Sequence, residues 1–223
     1  MGLDMYLNRM PRYGNTTPQQ IYTLERYFGW KSEPKAKKYS LKEWCGVEYK
    51  NVPRGKVMEF YKPFYAIKYW PWDTEKKFPH GSIMDEVGYW RKANQIHNWF
   101  VNHVQGGEDD CEYHNEVTKE VLEELLDVCQ RVLNSCEMVD GQIENGYTTN
   151  QYGQRTPIME EGKYVKDSSV AEKLLPSCAG FFFGGCDYDE YYVADIKETI
   201  DIITKVLETT DFEKEMVYYV SSW

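Results

Sequence analysis

Apolar and polar residues alternate at the start of the chain, where Leu3, Met5 and Leu7 share one side and Asp4 and Tyr6 the other. This is the period of a half-buried strand. Further on the period lengthens. Tyr89, Ala93, Ile96, Phe100 and Val104 recur at three- and four-residue steps and predict a helix from about 85 to 105, ended by Gly106-Gly107. Thr118 is suited to cap a second helix, with Val117 and Leu122 placed as a hydrophobic staple and a stripe of Val121, Leu122, Leu125, Cys129, Val132, Leu133 and Cys136. Asp167-Ser168 predicts the start of a short helix through Leu175, which Pro176 stops. Phe181-Phe182-Phe183 between Gly180 and Gly184 reads as a buried strand. Asp187 with Glu190 three residues on opens a last long helix, whose stripe is Val193, Ile196, Ile200, Ile203 and Leu207. Met216 to Val220 closes the chain as a strand.

Two stretches lack a clear period. Residues 8–82 are rich in Tyr, Trp, Lys and Pro, and Val47-Glu48-Tyr49 and Val57-Met58-Glu59-Phe60-Tyr61 flank Pro53-Arg54-Gly55 as a hairpin would. Their aromatic content is too high for a disordered linker, so they read as an inserted β-rich lobe. Asp140-Gly141 and Asn145-Gly146 are turn signals, and the polar residues 147–166 read as a mobile loop, a candidate lid. The expected class is α+β. One domain over 1–223 has a mixed or antiparallel sheet that includes both terminal strands, with about three main helices on it and the lobe inserted at 8–82.

Composition narrows the possibilities. With 42% hydrophobic and 16% aromatic residues in 223, the chain has ample core material and needs no metal or disulfide staple. Six cysteines include no C-x-x-C pair, and no signal-peptide pattern precedes them, which points to reduced thiols. No run of about 18 apolar residues predicts a membrane span. The net charge of −10 is unevenly spread: residues 9–77 hold 15 Lys/Arg against 7 Asp/Glu, 105–144 hold 2 against 12, and 186–223 hold 3 against 10. Such poles either pack on each other within the chain or steer a charged partner.

The richest polar constellation lies within the predicted helix 85–105. Trp90, Asn94 and His97 fall at steps of four and three and share an edge, with Tyr89 and Arg91 beside them. An aromatic plane, an amide, an imidazole and a guanidinium suit a nucleotide-like ligand, and Arg91 or Lys92 suits its phosphate. The structural alternative is Trp90 packed on the sheet, with Asn94 and His97 satisfying loop backbone. Asp4 is within conceivable reach of Arg91 or His97 if the first strand is central. Cys111 and His114 are spaced like half a zinc site, but no second pair matches them, and no metal or cofactor is expected. At Gly184-Gly185 a phosphate would meet Asp187, Asp189 and Glu190, which argues against a nucleotide there. Trp30, Trp44, Trp70 and Trp72 in the basic stretch read as a protein-recognition surface. Acids are interleaved with them and no nucleic-acid module is recognisable, so direct nucleic-acid binding is not expected.

Several segments together resemble a known set of sequences. They are Gly2-Leu3-Asp4-Met5-Tyr6-Leu7, Glu86 to Asn94 with Ile96-His97 and Trp99-Phe100-Val101, Gly180 to Gly184 with Tyr188 to Tyr192, and the closing Ser221-Ser222-Trp223. The chain resembles an uncharacterised family of bacteriophage and prophage proteins over residues 1–7 and about 84–223. Some members carry the name phosphoglycerate kinase, but this chain is too short for two nucleotide- and substrate-binding domains and has no matching Gly-rich phosphate loop. The resemblance implies a viral origin, a host-cytoplasmic setting and an accessory role. It transfers no catalytic residue. The function expected first is non-enzymatic: binding a host protein, with inhibition of a bacterial defence system as one version, or sequestering a small molecule. For a partner that itself binds nucleic acid, the acidic runs 108–124 and 187–215, Glu123 and Glu124 among them, offer a charge mimic. The alternative is a small enzyme acting on a nucleotide-like substrate, with His97 as general acid or base, Asp109 or Asp110 orienting it and Arg91 holding phosphate.

Overall fold

A computed structural model of the chain describes residues 2–12, 17–19, 85–111, 113–180 and 183–223. The predicted lobe hairpin, Trp30, Trp44, Trp70, Trp72, Phe181 and Phe182 lie outside them. Four strands, β1 (Asp4–Pro11), β2 (Asp85–Arg91), β3 (Asn115–Val117) and β6 (Glu215–Ser222), form an antiparallel sheet in the order β2-β1-β6-β3. β4 (Met138–Thr149) and β5 (Arg155–Val165) form a separate antiparallel hairpin. The main helices among the described residues are α1 (Asn94–His103), α2 (Lys119–Ser135), α3 (Ser169–Leu174) and α4 (Glu190–Thr209). The architecture is α+β, and both terminal strands are central in the main sheet.

Register fixes the two faces of that sheet. Met5 lies opposite Trp90 and Ser221, and Leu7 opposite Gly88 and Tyr219, so these residues share one face with Leu3 and Val217. Helices cover this face. Phe100 of α1 stacks on Tyr219 at 4.2 Å, and Trp90 Nε1 donates to Thr199 of α4 at 3.0 Å. Gly88 makes room for α4, since a Cβ there would lie 2.5 Å from Ile202 Cγ2. The opposite face carries Asp4, Tyr6, Tyr89 and Arg91, with the Tyr6 and Tyr89 rings 5.3 Å apart.

Three expectations change. The segment predicted as one helix from 85 to 105 divides into β2 and α1, because Gly88 and β-forming Val87, Tyr89 and Trp90 gain more by pairing with β1 than by extending the helix. The segment 147–166 is strand and turn, not a loop. Beyond Ile143 nearly every residue of this hairpin is exposed, so no buried face imposes an alternating pattern on its sequence. Its turn is held by Asn150, whose Oδ1 accepts from Tyr152 N at 2.9 Å and Gln154 N at 3.0 Å. The glycines that resembled turns serve the strands: Gly141 lies beneath the Tyr164 ring, and Gly146, at φ +84°, occupies the bulge between Glu144 and Tyr147. Phe183 lies in a bend rather than a strand.

The caps follow the sequence with one shift. Thr118 Oγ1 accepts from Val121 N at 3.4 Å; before α3 the N-cap Ser168 makes no side-chain capping bond, and Asp167 Oδ1 accepts from Ser169 N at 3.0 Å in its place. At α4 the cap is Asp189 instead of Asp187, and its Oδ1 accepts from Tyr191 N and Tyr192 N at 2.9 and 3.0 Å. Such a cap contributes about 1 kcal/mol. Burial pushes the Asp189 carboxyl up while the two amides pull it down. Among the described residues no helix is long and apolar enough to cross a membrane.

Candidate functional site

At the end of the sheet where β1 begins and β6 finishes, α1, the 104–114 loop and the 176–188 loop converge. His97, one turn into α1, is fully buried. Its Nδ1 lies 2.7 Å from the Tyr219 hydroxyl and its Nε2 3.0 Å from Asp109 Oδ2. A carboxylate only accepts, so the matching arrangement places the ring proton on Nε2 and lets Nδ1 accept the Tyr219 O–H. Burial raises the Tyr219 phenol well above its ordinary range and keeps that proton in place. The edge of Phe183 meets the His97 ring at 5.0 Å, and Trp223 meets Phe183 at 6.0 Å. Asp109, His97 and Tyr219 thus form a chain of the kind seen in catalytic triads, but its far end is a sealed phenol rather than an accessible nucleophile.

Asn94 ties the 176–188 loop to α1. Its Nδ2 donates to Phe183 O at 3.2 Å and Gly185 O at 2.7 Å, and its Oδ1 accepts from Cys178 N at 2.8 Å. All three partners are backbone groups, which is the structural role weighed for it in the sequence. Gln95, next to it and also buried, donates to Asp195 of α4 at 2.9 Å. Burial pushes the Asp195 carboxyl up to about 6 against the opposing pull of Gln95.

The predicted edge of Tyr89, Trp90, Arg91, Asn94 and His97 does not assemble on one helix. Trp90 is in the core, Asn94 and His97 lie on α1 over the same face, and Tyr89 and Arg91 emerge on the opposite face. There Tyr89 donates to Asp4 Oδ1 at 2.5 Å, and Arg91 Nη1 stands 3.6 Å from the same oxygen. The conceivable contact between Asp4 and Arg91 is therefore present. Asp110 turns away from His97 and accepts twice from Asn115 Nδ2, each at 3.0 Å. Cys111 and His114 also diverge: the thiol donates to Ser221 O at 3.7 Å, while the His114 ring packs at 5.1 Å from Tyr218 on the opposite face. Among the described residues no group of three or more His, Cys, Asp and Glu could hold a metal ion.

Sequence reasoning did not find Tyr219, which lies 122 residues from His97 and reads as one apolar position of a strand. Lys92, which the sequence offers as a phosphate contact, has a φ of 62° that makes it the one non-glycine among the described residues in the left-handed region, a conformation that no local signal announces.

No protein-family model, curated protein or solved structure matches the chain.

Proposed function

We propose that the chain is a non-enzymatic binding protein, a phage accessory factor that engages a basic surface on a host protein through the outer faces of α2 and α4. One observation carries this reading. The two helices pack side by side, and they turn outward Glu120, Glu123, Glu124 and Asp127 from α2 and Glu198, Asp201 and Glu208 from α4, against Lys119, Arg131, Lys197 and Lys205. Acids outnumber bases across a continuous helical layer. Glu123 pairs with Lys119 at 3.2 Å and Asp127 with Arg131 at 3.3 Å, exposed pairs that contribute little to stability, while Glu120 is held by Thr118 at the helix start and Glu124 is left for a partner. Such a surface steers association with a basic partner and competes with nucleic acid for it.

The sealed His97 supports binding over catalysis. A general acid or base needs a nitrogen within reach of substrate, and both nitrogens of the buried His97 are engaged, Nδ1 by the buried Tyr219 hydroxyl and Nε2 by Asp109 nearer the surface. The phage and host setting rests on the family resemblance.

Purification of the tagged protein from infected host cells tests the reading, with the eluate analysed for proteins and, after heat denaturation, for small molecules. A stoichiometric host protein, retained by the wild type and lost with Glu123→Lys/Glu124→Lys, is the expected result. Retention that the double variant leaves unchanged contradicts the acidic layer as the contact. A released small molecule with no protein favours sequestration instead.

A further inference from the structure

We propose that Arg91 and Lys92 form a binding site for a phosphate-type oxyanion at the end of the sheet, separate from the acidic helices. The two side chains converge. A Cβ placed on Gly2 would meet Arg91 Nη2 at 3.4 Å and Lys92 Cε at 3.5 Å, so the guanidinium and the far end of the Lys92 stem border the same space. Cations carried on neighbouring stems repel each other, and an anion bound between them relieves that repulsion. The acid beside them is Asp4, which stands 3.6 Å from Arg91 and is already engaged by the Tyr89 hydroxyl. Lys92 has no ion-pair partner among the described residues. The Arg91 side chain is 57% exposed, so a ligand from solvent can reach its guanidinium.

The backbone holds Lys92 where it is at a cost. A lysine at φ 62° is less stable than glycine in that conformation by about 1 kcal/mol. Neighbouring glycines keep its path open. Gly184, itself at φ +89°, has Lys92 Cβ at 3.2 Å and Cδ at 3.6 Å from the point its own Cβ would take, so a side chain there would press on the Lys92 stem. Gly2, lacking a side chain, leaves room beside the Arg91 guanidinium and the Lys92 stem. α1 begins two residues after Lys92. Its N-cap, Ala93, makes no side-chain capping bond, and its first turn holds no acid, so the positive end of the helix adds to the same field. An oxyanion bound here would take paired N–H donors from Arg91 and a point charge from Lys92.

Calorimetric titration with inorganic phosphate, pyrophosphate and a nucleoside monophosphate tests the site on the wild type, Arg91→Ala and Lys92→Asn. Asparagine tolerates the left-handed region, so Lys92→Asn keeps the fold, with a melting temperature within ~3 °C of wild type. We expect the wild type to bind at least one probe and each variant to bind about tenfold or more weakly. Tighter binding of the nucleoside monophosphate than of both inorganic probes identifies a phosphate ester as the ligand; equal or weaker binding identifies the free anion. The proposal is overturned if no probe binds the wild type, or if Lys92→Asn binds as the wild type does. Because this site shares no residue with the acidic layer, either outcome leaves the host-protein reading to its own test.

Discussion

His97 and Tyr219 meet at 2.7 Å in a region sealed from solvent, and the bond joins α1 to the strand that ends the chain. With Asp109 on the other ring nitrogen, the imidazole is a structural rivet joining α1, the loop that follows it and the distant strand β6. His97→Ala leaves a buried phenol and a carboxylate without their partner, at a cost of about 3 kcal/mol. Urea unfolding should show that loss, while affinity for the captured host protein changes less than about twofold in the folded variant. Lost function with unchanged stability would restore the enzyme reading.

Asn94 offers a second structural test. Asn94→Asp presents a carboxylate oxygen to the carbonyls of Phe183 and Gly185 where an amide now donates. We expect a loss of about 2–4 kcal/mol and new protease cleavage between residues 176 and 188. A cleavage pattern identical to the wild type would show that Asn94 does not anchor this loop.

Asp195 gives stability a pH dependence. Its folded carboxyl is pushed up to about 6, above the ordinary value of 3.8, so between these pH values the folded state holds a proton that the unfolded state has released. This group therefore stabilises the fold least above pH 6, and its penalty disappears below about pH 4. Asp195→Asn keeps an acceptor for Gln95 and removes the charge. It should match the wild type near pH 4 and exceed it by about 1–3 kcal/mol near pH 7.5 in paired urea titrations. Equal stability at both pH values would mean that the carboxylate is well solvated.

The cysteines should differ in reactivity. Cys129 is fully buried and its thiol is pushed up to about 12, whereas Cys111 and Cys186 are exposed. Brief alkylation of the native protein near pH 7.5, mapped by mass spectrometry, should modify Cys111 and Cys186 and spare Cys129. Modification of Cys129 as fast as Cys111 would require that α2 opens readily.

Legibility in the sequence followed burial. The stripe from Val121 to Val132 and the alternation of Leu3, Met5 and Leu7 each have one buried side, so their periods announced α2 and β1 directly. The outer part of the β4–β5 hairpin is exposed on both sides, and composition there resembles a loop. Around Trp90 two periods overlap, since a strand residue followed by a helix can imitate one continuous helical stripe. The ligand edge that this stripe suggests is therefore divided by the sheet, and the role of Asn94 as a loop anchor is the part that can be read. The pairing of His97 with Tyr219 is a long-range consequence of strand order, which no local spacing encodes. The acidic runs were visible by counting, but their union into one layer depends on α2 packing beside α4.

The most direct measurement of the central claim is the dissociation constant of the captured host protein for the wild type and for Glu123→Lys/Glu124→Lys across a salt series. Both positions are exposed, so the substitutions leave the core intact. The account predicts binding about tenfold or more weaker for the double variant, and wild-type binding that weakens steeply as salt rises. Equal affinities for the two proteins, or wild-type binding indifferent to salt, would contradict it.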